Sequence, residues 1–171
     1  MSLFEKRITT ERLTLDAIKS KDFDALISIL KDDTVSKTYM VPRLSTSDEE
    51  QRLFSAISTA SHSRERYVYG IFLEGTLIGI INDTDIMGNK IELGYALHPL
   101  HFGKGYMTEA LSALIAYLFS HGFKEIICGA FDHNKASIRV MEKCGMTKKH
   151  KTEEITYRNQ KHNCVFYSVR K

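Results

Sequence analysis

The sequence predicts an α/β (α+β) domain: a mixed, mostly antiparallel, twisted sheet with one central parallel strand pair, flanked by about four helices. Three observations carry this. Alternating apolar runs joined at Glu74-Gly75 and Gly88-Asn89 predict an antiparallel meander over 67–97. The segment 105–121 places Met107, Leu111, Leu114, Ile115 and Leu118 on one helical stripe. It leads into the consecutive apolar residues Ile126, Ile127 and Cys128, as expected of a strand covered on both faces. A strand–helix–strand crossover makes its two strands parallel. A doubly wound fold would need repeated βα units, which the chain does not supply.

In chain order, Ile8 to Ala17 reads as a first strand with Leu13 and Leu15 on one face. Ser20 or Asp22 is placed to cap a helix to about Lys31, which carries Phe23, Leu26, Ile27 and Leu30 at helical spacing. Ser45-Thr-Ser-Asp-Glu-Glu reads as the start of a second helix ending near Ala60, with acids in its first turn. Strands follow over 67–73, 76–83 (continuing toward Met87) and 91–97. The 105–121 helix ends at Gly122, a C′ glycine. After the strand over 124–131, a short helix from Asn134 to Lys143 ends at Gly145. Thr147 to Tyr157 and Cys164 to Val169 close the chain as a hairpin. One domain over 1–171 is expected, with its core over about 8–169.

Bulk properties narrow the class. A chain of 171 residues that is 43% hydrophobic and 26% charged can bury a sizeable core. No apolar run reaches the ~18 residues that span a bilayer, and the first residues lack a signal-peptide core, so a cytoplasmic protein with no membrane partner is expected. Cys128, Cys144 and Cys164 are widely spaced, with no C-x-x-C pair, and read as packed thiols rather than a zinc site or a disulfide framework. The net charge is +3, of which Thr147–Lys171 alone carries +5. Aromatics do not interleave with those charges, so nucleic acid is not an expected partner. A homodimer is left open.

The stretch from Ile91 to Leu111 carries the most chemistry. An apolar strand runs through His98 and Pro99 into a turn, Phe102-Gly103-Lys104-Gly105-Tyr106-Met107-Thr108, and a helix starts directly after it. Amide N–H groups at a helix start have no intrahelical partner and favour an anion, and glycines at 103 and 105 let phosphate oxygens approach. The string is neither a P-loop nor a dinucleotide fingerprint, because Thr108 stands where the third glycine belongs. An ordinary left-handed turn at a strand–helix junction is the competing reading. A second string, Asn134-Lys-Ala-Ser-Ile-Arg-Val-Met-Glu-Lys-Cys-Gly-Met, opens the short helix; Asn134 there is an N-cap at the least.

Together these strings resemble motifs A and B of the GNAT superfamily of N-acetyltransferases, and the Gly-Lys-Gly-Tyr-x-Thr-Glu-Ala form is similar to the RimJ/RimL-like branch. Phe102 and Met107 depart from the general motif. The resemblance implies a GNAT acyl-CoA N-acyltransferase fold in which the parallel pair splays apart, with acetyl-CoA as co-substrate and no metal. It implies that the diphosphate of acetyl-CoA meets the turn of Gly103, Lys104, Gly105, Tyr106 and Met107, with Phe102 and Thr108 also among the cofactor-binding residues. The pantetheine arm would pair with main-chain groups of Leu97 and His98 and meet Asn134, Ser137 and Lys143. His98 and His101, three apart around Pro99, lack a third ligand for a metal site.

Acetyl transfer to an amine also needs a base, oxyanion donors and a route for a proton to the leaving thiolate. Strand alternation sets Glu92 on the face opposite Ile91, Leu93 and Tyr95, which makes it the candidate base; a surface ion-pair role is the alternative. Interior Gly94 suggests a bulge that presents an oxyanion donor, or a close backbone approach. Ser137 is the candidate proton relay, since Met141 stands where many family members carry a tyrosine. Glu109 reads as a partner for a neighbouring side chain. Tyr39, Met40 and Tyr157 are expected around the acceptor. The expected reaction is direct acetyl transfer to a primary amine, either a protein N-terminal α-amine or a small molecule. A non-catalytic acyl-CoA-binding module on the same fold, or a protein docking on ribosomes or RNA, are the alternatives.

Overall fold

The computed structural model describes residues 6–171. The expectation about a leader peptide falls largely on residues 1–5, outside the described residues. The strands are β1 (Ile8–Thr9), β2 (Leu13–Asp16), β3 (Tyr69–Leu73), β4 (Thr76–Met87), β5 (Lys90–Leu97), β6 (Glu125–Phe131), β7 (Thr147–Tyr157) and β8 (Gln160–Arg170). The helices are α1 (Phe23–Lys31), α2 (Asp33–Ser36), α3 (Ser47–His62), α4 (Tyr106–Ser120) and α5 (Lys135–Lys143).

The predicted first strand is broken in two. Thr10 N–H bonds Leu13 O at 2.9 Å, and the Thr10 hydroxyl accepts from Leu13 N–H, a local turn that outcompetes a continuous ladder. The short α2 was not expected; the Asp32 carboxylate nucleates it by accepting from Thr34 and Val35 N–H. Asp22 stands at the N-cap of α1, but its carboxylate turns back to Lys19 N–H, so it caps no helical amide. For α3 the true cap is Thr46, in a reciprocal box with Glu49.

All eight strands form one sheet in the order β1-β2-β3-β4-β5-β6-β8-β7. Every neighbouring pair is antiparallel except β5–β6. One face packs Ile91, Leu93, Ile126 and Cys128 against the stripe Met107, Leu111, Leu114, Ile115 and Leu118 of α4. On the other face, Ile80 and Ala96 pack with Leu26, Ile29 and Leu30 of α1 and Phe54 of α3. Among the described residues no helix is long and apolar enough to cross a membrane.

The parallel ladder is short. It runs from Lys90↔Glu125 to Leu93↔Cys128 and stops. Beyond it β5 stays with β4 as far as Leu97↔Gly79, while β6 stays with β8 as far as Phe131↔Cys164. Each strand follows its outer partner, so the sheet splits between them, as the fold class implied.

The closed end of the split is stapled by charge. The Glu125 carboxylate, 3% exposed, receives Lys149 Nζ at 2.6 Å, Lys90 Nζ at 3.4 Å and an Arg170 Nη at 3.5 Å. The Lys149 hydrogen bond leads in holding it down to about 2, against an ordinary 4.5. A depressed carboxylate pKa contributes stability above 4.5 that is lost as pH falls toward 2. Glu125→Gln should therefore lower the melting temperature near neutral pH. The gap between variant and wild type should close as pH drops through that window, as followed by circular dichroism.

Candidate functional site

The split in the sheet is a cleft of about 340 Å³. Its walls come from β4, β5, β6, β7, β8, the start of α5 and the loop after α2, and they include Glu92, Gly94, Tyr95, Asn134 and Ser137. Glu92 and Ser137, on different elements, thus face one space.

The main chain of β5 is divided by parity. His98 N–H donates to Ile78 O at 2.8 Å, and His98 C=O accepts from His101 N–H at 2.9 Å. Both main-chain groups of His98 are therefore taken, which leaves it no edge to offer. Alternation along an antiparallel ladder turns the groups of Ala96 and Gly94 toward β4 as well, and those of Tyr95 and Leu97 toward the split. Leu97 stays available for strand-like pairing; Tyr95 joins it in place of His98.

Gly94 holds no bulge. The register shift lies across the ladder on β4, between Asp83 and Asp85, while Gly94 pairs regularly with Asn82. Nor does a close approach require it: a Cβ there would stand 3.4 Å from Thr84 Cγ2, 3.6 Å from Asn82 Oδ1 and 3.8 Å from the Tyr39 ring, all ordinary van der Waals contacts. The donor nearest in position to the expected one, and turned toward the split, is Tyr95 N–H.

The glycine turn adopts the conformation its sequence suggests. Gly103 and Gly105 have φ of 71° and 80°, and Gly105 is the N-cap of α4 without a side-chain cap. The first amide of this helix with a main-chain acceptor is that of Glu109, bonded to Gly105 O at 3.0 Å; among the described residues those of Tyr106, Met107 and Thr108 have none. Phe102, Gly103 and Lys104 are exposed, and Met107 is buried against the core. Arg12, which the sequence reading did not single out, lies against this turn. It donates to Lys104 O at 3.0 Å, pairs with Glu109 at 2.7 Å and stacks 4.5 Å over the Tyr106 ring. Glu109 is a partner for neighbours, as expected, and it holds Thr10 and Arg12 together.

On the far side of the split, Asn134 caps α5 through Ser137 N–H at 3.2 Å. The Ser137 hydroxyl donates to Tyr95 Oη at 2.8 Å, and the Tyr95 hydroxyl donates to Ser137 O at 3.0 Å. Met141 is fully buried. A tyrosine does reach the serine, from β5 and not from α5. The signal was the Gly94-Tyr95 pair, whose parity became informative once the ladder was known. Burial pushes the Tyr95 phenol far up, so it stays a neutral hydroxyl. Lys143 is exposed at the other end of α5 and does not line the cleft.

Glu92 is half-buried, and burial raises its carboxyl above the usual range, opposed by a hydrogen bond from Thr84 at 3.2 Å. Tyr39 and Met40 line the cleft as expected, and the Tyr39 hydroxyl donates to Asn82 at 2.7 Å. Tyr157 does not line it; its hydroxyl donates to Ser36 O at 2.7 Å and accepts from Val41 N–H at 3.3 Å, bracing the loop that carries Tyr39. Glu153, unremarked in the sequence, joins the cleft from β7.

The family model for the acetyltransferase (GNAT) domain matches residues 12–147. The chain belongs to the GNAT acetyltransferase family and is an acyltransferase of the N-acetyltransferase kind. It is 31% identical over 145 residues to the uncharacterized N-acetyltransferase YnaD of Bacillus subtilis, covering 81% of each chain. A solved GNAT-family acetyltransferase from Bacillus anthracis is 26% identical, with a TM-score of 0.82 over 96% of this chain and 98% of that one. The Salmonella typhimurium acetyltransferase that modifies the N-terminal serine of ribosomal protein L7/L12 shares the fold at 18% identity, with a TM-score of 0.83 over 96% and 99% of the two chains.

None of the three thiols is set up as a nucleophile. Burial raises the pKa of Cys128, Cys144 and Cys164 alike, although Cys164 borders the cleft. Iodoacetamide at neutral pH should leave all three largely unmodified in the folded protein and label them in urea, as read by mass spectrometry.

Proposed function

We propose that this protein transfers acetyl directly from acetyl-CoA to a primary amine in a ternary complex. The observation that carries the reading is that the fork between β5 and β6 gathers the free edge of β5, Glu92 and Ser137 around one cleft, while β5 runs on through the glycine turn into the uncapped start of α4. Acetyl-CoA supplies the activated thioester. Its diphosphate fits the amides of Gly105 to Thr108, and its peptide-like arm fits the main-chain groups of Leu97 and the C=O of Tyr95. Arg12 holds Lys104 O and thereby keeps the turn in the form that leaves those amides pointing outward.

Glu92 takes the proton from the incoming ammonium, directly or through one water, and its raised pKa brings it nearer the working range of a base. Tyr95 N–H donates to the acetyl oxygen as charge develops there. The departing sulfur leaves as a thiolate, since a free thiol's pKa is only roughly 8 to 9, and takes its proton through the Ser137 hydroxyl, which turns from Tyr95 Oη to reach it and is reprotonated by water. No thiol of the chain carries the acetyl group.

The acceptor is a protein N-terminal amine or a small primary amine. The ribosomal-protein enzyme of the same fold supports the first, and the small volume of the cleft supports an acceptor that inserts only its amine end.

Coenzyme A release over a panel of amines and N-terminal peptides tests the reading; stabilisation by acetyl-CoA with no turnover on any amine would make the protein a binding module. Glu92→Gln should cut turnover most near neutral pH and recover at high pH, where the amine is already neutral; a uniform loss would remove Glu92 as the base. Gly105→Ala should raise the KM for acetyl-CoA several-fold. It forces an alanine to φ 80°, which by itself costs about 1–2 kcal/mol. Gly122→Ala, at φ 97° with nothing within 4 Å, carries the same strain away from the turn and should leave that KM unchanged.

A further inference from the structure

A second pocket, of about 440 Å³, lies outside the fork and shares no lining residue with the cleft. It opens between α1, α2, the segment 42–45 and the tip of the β7–β8 hairpin, and its charged lining is Lys31, Asp33, Arg43 and Arg158. Lys31 is already paired with Glu50. Among the described residues, no carboxylate forms an ion pair with Arg158 or Arg43.

Arg158 is held there at a cost. It occupies a hairpin turn with φ of 51°, followed by Asn159 at 62°, a conformation unfavourable to a long side chain. Its side chain reaches back over the Tyr157 ring, 5.2 Å away, and donates through Nη1 to the Oγ of buried Ser36 at 3.2 Å. Its Nε–H is buried and has no acceptor. A guanidinium stays charged at any accessible pH, and a buried donor on a charged group without a partner costs more than a lost neutral hydrogen bond. The positive φ values belong to the two-residue hairpin turn between Tyr157 and Gln160; the sign of an absent anionic partner is a guanidinium at the edge of a polar cavity with no carboxylate paired to it among the described residues and a buried donor unmet.

We propose that this pocket binds a small oxyanion, a carboxylate or a phosphate group, held by Arg158 with Arg43 closing over it. The planar fork of a guanidinium matches such groups, and the Ser36 hydroxyl proton is available to the same ligand. The opposing charge is Asp33, exposed at the start of α2, which leaves the lining net positive. The anion adds to the contacts by which Tyr157 and Arg158 already hold the hairpin tip to the segment from Ser36 to Val41.

The binding test does not depend on acetyl transfer. Inorganic phosphate and, separately, acetate are titrated into the isotope-labelled protein at constant ionic strength, and amide shifts are followed by NMR. Saturable shifts at Ser36, Arg43 and Arg158 are expected. Arg158→Gln and Arg43→Gln should each weaken the apparent affinity about tenfold or more, the value of one charge-assisted hydrogen bond. Arg43 lies on an exposed segment, so its variant guards against misfolding at the hairpin. Shifts confined to residues 103–108 and unaltered in both arginine variants would overturn the proposal, as would no saturable shift at all. Where turnover is observed, amino acids and their amides compared as acceptors identify the source of the group. A KM advantage for the free carboxylate that disappears in Arg158→Gln assigns it to the acceptor, and phosphate binding without such an advantage assigns it to a free ion.

Discussion

The four-pair parallel ladder between β5 and β6 is the constraint on which the site rests. A longer ladder would close the sheet and leave no edge for a peptide-like ligand. A shorter one would detach the two halves of the sheet from each other. The length is set by competition: β5 is committed to β4 over its whole course and β6 to β8, and the right-handed twist of those outer pairs draws the inner edges apart. Glu125, with cations from β5, β7 and β8 converging on it, holds the closed end while the open end diverges.

Two carboxylates two pairs apart along this ladder show how placement decides chemistry. Glu125 is nearly inaccessible, yet Lys149 and its companions hold it ionised, well below the ordinary range. Glu92 is only half-buried, but its hydrogen-bond donor is a neutral threonine, so desolvation wins and its carboxyl rises. Charge compensation makes the first a structural fixture. At the second, desolvation outweighs a weaker compensation, which suits it to the base role proposed for it.

Much of this was legible in the sequence, and the exceptions share a physical cause. Periodicity and turn chemistry located the meander, the α4 helix and the closing hairpin, because those signals are local. The turn over 103–107 and Asn134 with Ser137 were legible as strings whose geometry follows from a strand–helix or loop–helix junction. What could not be read was which way a given amide points. His98 was expected to offer its main chain and Gly94 to bulge; both expectations failed on register, and register depends on the partner strand. Arg12 and Tyr95 were missed for a related reason. Each acts across the fold, Arg12 on a turn 92 residues later and Tyr95 on a serine 42 residues later. The broken first strand, by contrast, was decided by one threonine hydroxyl, too small a signal to stand out against an apolar alternation.

The Tyr157 brace has a consequence for how the molecule assembles. It joins positions 121 residues apart, whereas the strand pairs that form the fork's paired end and the α4 crossover close over much shorter stretches of chain. Closing so long a stretch for a few hydrogen bonds carries an entropic debt that only an already formed sheet can offset. The paired end of the fork therefore forms before the chain that carries Tyr39 settles onto it. Sequence change can accordingly remodel that late-arriving wall, and with it the choice of amine, without disturbing the framework that folds first.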